Sequence, residues 1–535
     1  MACRRESLGW HGAPLVTANL THLVDYAAAE KVFDAPAVTT TGPMPLPAGA
    51  RFGAALAAVG GAITGLFVWY VLATHGAHSL LISNALLLVL LVAGVAGALG
   101  LWIAYSYYVS RWAGIPYESL LRADAYAYVP VLALLLYVIQ LPMSVGSASL
   151  LLTLVALAWA AVKVGVLAYF VRSVRMVVGV FLATRIPLIL ISSLAAIVIG
   201  QRAGQHWTPG RGLLLDVWGR WDAQHYLAIA TQGYHGSDFA FFPLYPLLIH
   251  GLGALIGDHL IAALIISNLA FLVALAYLYA LMKLEFGEES TAFHAVFYIA
   301  VFPTAIFFSA AYTESLFLAL TVASVYYARH GNFITAGVCG ALASMTRPYG
   351  VLLLLPLAYE IWRAFRERRG TVLARGVIGL ALVPSGLLAY MLYLYALVGD
   401  PLYFLKVQAN WNRHLAAPWV SIGNTFKEIA HSLSSAAIAN HVIELSFTVA
   451  FLALLVVAIR ILRPSYWLYF AAAMLIPMST ASLMSFPRFD LVVFPAFMVL
   501  ALWGRRPLVN SAILALFLPL LGLFTVFFAD WYWLA

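Results

Sequence analysis

The chain of 535 residues is 64% hydrophobic and only 9% charged, with a formal net charge of +8. Soluble domains carry about 25% charged residues, so this composition excludes a soluble protein and predicts an all-α protein that crosses the membrane many times. Excess Lys and Arg in such proteins mark cytoplasmic loops, and no nucleic-acid-binding motif accompanies them, so we expect no nucleic-acid partner. The two cysteines, Cys3 and Cys339, predict neither a disulfide framework nor a cysteine metal site.

The N-terminal part predicts a polar segment followed by a compact group of spans. Residues 1–50 are rich in proline, lack the short apolar core of a signal peptide, and are interpreted as a polar leader. We predict a four-span membrane unit over 51–174, because stretches of membrane length lie at about 52–73, 79–107, 126–143 and 147–171. Arginines flank alternate ends of these stretches, which predicts a cytoplasmic N-terminus.

Further apolar segments follow Arg175 and predict a second, larger membrane domain over 175–535. Arg185 lies inside the first of them, where we expect it to have a structural use. The basic run 363–375 belongs in the cytoplasm, and counting from it places the loops around Glu314, Arg347, Arg413 and Arg488 outside. The other predicted segments are about 241–257, 260–283, 291–309, 314–329, 333–345, 349–362, 376–398, 444–463, 466–484, 490–503 and 508–528.

This count leaves an odd number of short helices between the external loop before residue 241 and residue 283. The loop and the segment that ends at residue 283 therefore cannot both lie on their expected sides of the membrane, which we call the parity conflict. Two alternatives stay open. Segment 241–257 is re-entrant, or two short helices together form one crossing.

Residues 216–247, DVWGRWDAQHYLAIATQGYHGSDFAFFPLYPL, are the long polar and aromatic stretch of the first half of this domain. Asp216, Arg220, Asp222 and His225 fall within ten residues, although charged groups are scarce in the chain. A solvated loop with an aromatic belt would explain such a composition. The order and spacing of the residues favour a functional site.

WDAQHYLAIATQGY followed by FFPLYPLL resembles the first extracytoplasmic loop of the PIG-V-like mannosyltransferases, which belong to the GT-C glycosyltransferase superfamily. The resemblance covers about residues 175–530 and implies a GT-C-type helical fold with a catalytic first external loop. The four-span unit is then an addition with no assigned role. The positions that match are Trp221, Asp222, His225, Tyr226, Ile229, Ala230, Gly233, Tyr234 and 241–246.

By this resemblance the protein would move mannose from a polyprenyl or dolichyl phosphate to a hydroxyl group of a glycolipid, a glycan or a protein, with inversion, at the extracytoplasmic face. The Ala- and Leu-rich composition favours a prokaryotic plasma membrane with the site outside; a eukaryotic chain would have its site in the lumen of the endoplasmic reticulum. The alternatives are a GT-C enzyme that uses another lipid-linked sugar, a lipid or solute transporter, and a non-catalytic scaffold.

The resemblance implies that Asp222 is the base that removes the acceptor proton, although it could instead cap the helix formed by AQHYLAIA. Asp216 is a second carboxylate, a metal ligand or a loop residue. His225 follows Asp222 by three residues, so the two would share a helix face, with an orienting hydrogen bond or a divalent cation between them. No cofactor is firmly implied. Glu314, in a Y-x-E-S-L-F element of the family, is a substrate-site residue or a favourable charge at a helix N-terminus.

Arginine forks suit phosphate, so we expect Arg347 or Arg488 to contact the donor phosphate; the alternative is snorkelling at the interface. The loop 399–414 is either a lid or an interfacial helix. No nucleotide-binding motif is present, which favours a lipid-linked donor. The remaining predicted substrate-binding residues are Arg220, Trp221, Tyr226, Tyr234, Tyr245, Lys406, Trp411 and Arg413.

Overall fold

The computed structural model describes residues 171–199, 212–368, 371–411 and 413–532, with short helical pieces within 106–110 and 160–168. The chain divides into two compact units after Ala125, and the architecture below is that of the second unit. The predicted leader and nearly all of the four-span unit lie outside the described residues. In the described part every regular element is a helix, so the all-α prediction is confirmed.

The helices follow one another with short connections. The α-helices are α1 (Arg172–Val198), α2 (Leu213–Asp216), α3 (Ala223–Gln232), α4 (Leu244–Ile256), α5 (His259–Phe286), α6 (Glu289–Ala300), α7 (Glu314–Arg329), α8 (Phe333–Thr346), α9 (Leu354–Arg368), α10 (Thr371–Leu382), α11 (Ser385–Val398), α12 (Tyr403–Val407), α13 (Pro418–His431), α14 (Ser435–Ile461), α15 (Pro464–Met478), α16 (Phe486–Asp490), α17 (Phe494–Trp503) and α18 (Pro507–Ala529). The 3₁₀ turns are Val217–Gly219, Gly236–Ala240, Ala305–Phe308, Pro348–Leu353 and Gln408–Trp411.

Five segments are long and apolar enough to cross a membrane, namely α1, α5, the α10–α11 pair, α14 and α18. Where a predicted span is shorter than expected, proline explains it. The segment predicted at 291–309 ends as a helix at Ala300, because Pro303 cannot continue the hydrogen-bond ladder. The segment predicted at 490–503 begins only at Phe494, with Pro495 in its first turn.

Four charged side chains collect at the end of the bundle that carries the basic run 363–375. Arg463 Nε lies 3.1 Å from Glu360 Oε1, and Arg329 Nη1 lies 3.5 Å from Glu360 Oε2. Arg329 also pairs with Glu285, which accepts a 2.7 Å hydrogen bond from Tyr466. This ion network ties α5, α7, α9 and α15 together.

Helix α4 does not cross the bundle, which resolves the parity conflict. The Tyr245 hydroxyl donates to the Ala263 carbonyl at 3.1 Å and lies 2.7 Å from Ser267 Oγ, and Gly253 lies against His259. The helix therefore pairs antiparallel with the first turns of α5. Its 13 residues span only about 20 Å, less than a bilayer core. With α4 removed from the count, the odd helix between the motif loop and residue 283 disappears.

Arg185 serves the fold, as its position within a span leads us to expect. It is buried in α1 and donates to the carbonyl of Ala300 at 2.6 Å and to that of Ala305 at 2.8 Å. Ala300 is the last residue of α6, so its carbonyl has no partner within that helix, and Ala305 is the first residue of the 3₁₀ turn that follows. Its guanidinium also lies 4.9 Å from the centre of the Phe271 ring.

The crossing of α8 and α10 depends on two glycines. A Cβ on Gly379 would lie 2.1 Å from the Phe333 carbonyl oxygen, and one on Gly337 would lie 2.2 Å from the Gly379 carbonyl oxygen. We expect Gly379→Ala to lower the free energy of unfolding by about 1–3 kcal/mol, because the backbones must move apart. Gly251→Ala is the matched control, since a Cβ there meets nothing within 4 Å and should stabilise its helix. Equal melting temperatures in detergent for the two variants would contradict this expectation.

Candidate active site

A kinked backbone presents Asp222 at the start of α3. Trp221 has a φ of 57°, a left-handed conformation that costs a non-glycine residue roughly 1 kcal/mol, and its ring packs against Trp531 with the centroids 5.4 Å apart. Tyr312 spans the kink. Its hydroxyl donates to the Arg220 carbonyl and accepts from the Asp222 N–H, each at 3.2 Å. Contacts from α18 and from the loop before α7 therefore hold the kink in place.

The Asp222 carboxylate takes part in a chain of ion pairs. Its Oδ2 lies 2.6 Å from Arg488 Nη1, and it forms no side-chain cap on α3, so the capping alternative is not what the structure adopts. Arg488 Nε lies 3.3 Å from Glu314 Oε1, and the same oxygen pairs with Arg347. Asp222, Arg488, Glu314 and Arg347 thus alternate in sign; we call them the ion chain.

Burial makes this ion chain tight. Glu314 is 0% exposed, and Arg347 also donates from Nε to Thr313 Oγ1 at 2.8 Å. Burial lowers the pKa of Arg488, but the neighbouring carboxylates of Asp222 and Glu314 raise that pKa by more, so its guanidinium is charged at neutral pH. Each carboxylate of the ion chain therefore faces a fixed positive charge.

Three members of the ion chain, Asp222, Arg347 and Arg488, line a cavity of about 710 Å³, and Glu314 lies behind them. Among the residues that the structure describes, its charged lining consists of Asp222, Arg347, Arg413 and Arg488. Arg413 donates to the Met484 carbonyl at 2.8 Å. The remaining lining is mainly aromatic and aliphatic, and includes Tyr226, Phe241, Phe242, Tyr349, Leu387, Leu405, Trp411, Ile476 and Phe489.

The predicted site residues separate into those that line this cavity and those that support it. The cavity brings together Asp222, Tyr226, Arg347, Trp411, Arg413 and Arg488. Its lining does not include Asp216, Arg220, Trp221, His225, Tyr234, Tyr245, Glu314 or Lys406.

Arg220 and Asp216 lie behind the kink. Arg220 is buried with its guanidinium 5.1 Å from the Trp531 ring centre. Burial lowers its pKa to about 10, and the charges of Asp530 and Asp216 oppose that shift. These residues join the loop to the end of α18.

His225 forms its hydrogen bond with a partner that the sequence analysis does not name. Its Nδ1 lies 2.7 Å from Asp238 Oδ1 rather than near Asp222, and its ring stacks on Phe241 at 4.5 Å. The Tyr234 hydroxyl donates to the Phe241 carbonyl at 2.9 Å. His225 and Tyr234 thus both fix Phe241, which lines the cavity.

Two further predicted residues lie away from the cavity lining. Lys406 is 72% exposed and pairs with Asp400 at 2.6 Å, so it extends along the surface of the loop. Tyr245 is fully buried where α4 meets α5.

Comparison with known proteins now adds to the geometry. Residues 211–407 match the family model described as Mannosyltransferase (PIG-V). The resemblance that the motif loop predicts is thereby confirmed over the central part of the chain. The PIG-V match contains Asp222, Glu314 and Arg347, whereas Arg413 and Arg488 lie beyond it.

Individual relatives agree with the PIG-V match. The chain is 29% identical over 204 residues to GPI alpha-1,6-mannosyltransferase 2 of Cricetulus griseus, which covers 34% of this chain and 41% of that protein. It is 31% identical over 150 residues to the protein of the same name from Homo sapiens, covering 26% and 30%. GPI mannosyltransferase 2 of Drosophila pseudoobscura pseudoobscura is 33% identical over 109 residues, covering 18% and 24%. The chain thus spans less than half the length of these curated relatives.

The suggested cation site between Asp222 and His225 does not fit the loop 216–247 as it folds here. Asp222 faces Arg488 and His225 faces Asp238, so the two side chains do not converge. Within the described ranges, no three His, Cys, Asp or Glu side chains lie close enough together to hold a metal ion.

Some lining residues, found only in the structure, come from the segment after α15. Ser479 and Thr480 line the cavity, and their carbonyls accept backbone hydrogen bonds from Ala416 and His414 at 3.0 and 3.3 Å. Ser485 also lines the cavity, and its N–H donates a hydrogen bond to a carboxylate of α14. The small polar run STASLMS, which falls at the end of the predicted segment 466–484, is the signal in the sequence that could have indicated them.

Proposed function

We propose that the chain is a membrane mannosyltransferase that moves mannose from a polyprenyl or dolichyl phosphate to an acceptor hydroxyl at the extracytoplasmic face. The observation that carries this proposal is the position of Asp222. It belongs to the segment that matches the PIG-V model, it lines a cavity, and it faces Arg488 from a distant part of the chain. A carboxylate beside cationic groups is what sugar transfer from a phosphate requires.

The charge of the site supports a lipid phosphate donor. The cavity lining carries three positive charges, from Arg347, Arg413 and Arg488, and one negative charge, from Asp222, with Glu314 behind the arginines. A lipid-phosphate sugar is a phosphodiester with a negative charge, which this excess of positive charge would attract. Arginine forks also fit phosphate oxygens geometrically.

The remaining lining supports a lipid tail and a sugar. Phe242, Leu387, Leu405 and Ile476 give part of the cavity an apolar surface on which an isoprenoid chain could lie. Trp411 offers an aromatic face to a sugar ring. The acceptor would be a hydroxyl of a glycolipid, a glycan or a protein, and the site would face the outside of a prokaryotic plasma membrane or the lumen of the endoplasmic reticulum.

The chemistry follows from these positions. The acceptor O–H gives its proton to the Asp222 carboxylate while its oxygen attacks the anomeric carbon. The bond from that carbon to the phosphate oxygen breaks, and its electron pair stays on the lipid phosphate. The leaving phosphate gains negative charge beside Arg347, Arg413 and Arg488, which stabilises the transition state. Attack opposite the leaving group inverts the anomeric centre.

Arg488 links the two halves of this reaction. It pairs with Asp222 in the structure, and an arriving phosphate would compete for its guanidinium. Asp222 would then be released to the acceptor hydroxyl only when the donor is bound. Glu314 would act from behind by orienting both Arg347 and Arg488, and His225 by fixing Phe241.

The purified full chain in liposomes tests the donor. Radiolabelled polyprenyl-phosphate-mannose and GDP-mannose would be supplied separately, with a membrane lipid extract as acceptor, and covalently labelled products counted. We expect label from the lipid-linked donor alone. Transfer from GDP-mannose, or transfer from polyprenyl-phosphate-glucose at a higher rate than from the mannose donor, would overturn the donor assignment. Passage of the donor across the bilayer without any labelled product would favour a transporter.

Tyr312→Phe tests the positioning of Asp222. Tyr312 is buried, and burial followed by the charge of Asp222 raises its pKa well above the usual value, so its hydroxyl stays protonated and spans the kink. Removing that hydroxyl should lower kcat about tenfold with little change in KM, and cost about 1 kcal/mol of stability. Kinetics and melting temperature would be measured together. A raised KM at unchanged kcat would contradict a role in positioning the base.

A further inference from the structure

The segment between the loop 413–417 and α14 contains a helix that the sequence analysis does not predict. Helix α13 (Pro418–His431) is about 21 Å long, too short to cross a bilayer core. It ends four residues before Ser435, the first residue of the 27-residue candidate span α14. A span of that length reaches from one membrane surface to the other, so the residues next to its first turn lie at a surface. The end of α13 that precedes α14 therefore lies at a membrane surface too.

The sides of α13 differ in chemistry. Ser421 and Thr425 are buried against the protein, and Asn424 donates to the Ala481 carbonyl at 3.0 Å. Trp419 and Phe426 are seven residues apart, and so on one side, and are 74% and 57% exposed. Lys427 and His431 are exposed on the flank between this apolar side and the side that faces the protein. Glu428, opposite Trp419, is also exposed and lies 3.5 Å from His441 of α14.

The exposed apolar surface continues beyond both ends of the helix. Leu415 before it is 93% exposed, and Leu433 after it is fully exposed. Large apolar side chains grouped in this way rarely face water. A helix with an exposed apolar side and polar residues around the rest of its surface is the type that lies in the plane of a membrane interface.

We infer that α13 is an in-plane membrane helix that anchors the mouth of the cavity at the level of the lipid headgroups. Trp419, Phe426, Leu415 and Leu433 enter the leaflet on the site's side of the membrane. Lys427 reaches toward headgroup phosphates. The occupant of the apolar side is thus the bilayer in which the chain itself is embedded, continuous with the lipid-facing surface of α14.

The anchor bears on the site through the loop that precedes it. Leu415 lines the cavity, and the backbone on both sides of it is bonded to Ser479 and Thr480, which line the cavity too. A helix held in the interface would therefore keep this rim at headgroup depth. A lipid-borne phosphate could then reach the arginines without leaving the membrane; this consequence rests on the proposed function, but the anchoring itself does not.

Fluorescence depth measurement on the full chain tests the anchoring without any activity assay. Trp419→Cys, Phe426→Cys and Glu428→Cys would be made one at a time in a background with Cys3→Ser and Cys339→Ser. Each would be labelled with bimane and reconstituted in liposomes. Glu428 is the matched control because it lies on the opposite side of the same helix and its side chain is 55% exposed.

We expect the probes at 419 and 426 to be quenched several-fold more by lipids carrying a nitroxide near the headgroup than by lipids carrying it at the chain end, and to be shielded from iodide. The probe at 428 should be quenched mainly by iodide. Equal iodide quenching at all three positions would overturn the inference, because the helix would then stand in water. Stronger quenching at 419 and 426 by the chain-end nitroxide would also overturn it, because the helix would then lie in the core.

Discussion

Replacing Asp222 with asparagine is expected to lower the kcat of mannose transfer by about 10²- to 10⁴-fold, the usual contribution of a positioned general base. Asparagine keeps the shape of the side chain and can still accept a hydrogen bond from Arg488, but it cannot take the acceptor proton. Because Arg488 keeps Glu314 as a partner in the variant, we expect the free energy of unfolding to fall by only about 1 to 2 kcal/mol. Steady-state kinetics in liposomes, with melting temperature as a check on folding, would measure both.

Asp400→Asn is the matched control for that loss. It makes the same chemical change in a loop next to the site, where Asp400 pairs with the exposed Lys406. A surface ion pair of this type contributes little to the stability of the fold, so transfer should stay close to the wild-type rate. If Asp222→Asn kept wild-type kcat, Asp222 could not be the base, and the role would pass to another carboxylate such as Asp216 or Glu314.

Replacing Glu314 with glutamine is expected to have the largest effect on stability. Glu314 is fully buried between Arg347 and Arg488. In the variant Arg488 still has Asp222 as a carboxylate partner, whereas the carboxylate that pairs with Arg347 is lost. The variant leaves a buried guanidinium without its counter-charge, for which we expect a loss of about 3 kcal/mol. Transfer should fall as well, because both arginines lose the group that orients them toward the cavity.

A second substitution separates the charge imbalance from a general packing defect. In the double variant Glu314→Gln with Arg347→Gln, no unpaired buried cation remains at this position, so part of the lost stability should return. Transfer should stay low, because Arg347 lines the cavity. A double variant that melts below Glu314→Gln would contradict the view that the ion pair explains the loss.

The sequence predicts most of the membrane architecture, because long apolar segments are a strong signal and arginine runs fix their direction. Pro303 and Pro495 shift the boundaries where they interrupt the helical ladder. The length of an apolar segment does not indicate whether a short helix crosses the membrane. Helix α4 is an example, because its antiparallel pairing with α5 is seen only in the structure. The sequence does not predict helix α13, because its apolar and polar residues lie on different sides of the helix and a hydropathy average over the segment cancels them.

The site is predicted unevenly, for a physical reason. Arg347 and Arg488 are single charges beside apolar segments, and Asp222 belongs to a cluster of charged residues in a chain that has few, so their cost in a membrane protein already indicates a use. The partner of each charge depends on tertiary packing, and sequence spacing misleads there. His225 lies three residues from Asp222 yet bonds to Asp238, while Arg488, 266 positions away, is the partner of Asp222.

The most direct measurement is a structure of the Asp222→Asn variant in a nanodisc with polyprenyl-phosphate-mannose bound. The proposed function predicts that the donor phosphate lies about 3 Å from nitrogens of Arg347, Arg413 or Arg488. It also predicts that the anomeric carbon faces residue 222, with space for an acceptor oxygen between them. A donor bound outside this cavity, or one whose leaving phosphate lies between the anomeric carbon and residue 222, would contradict it.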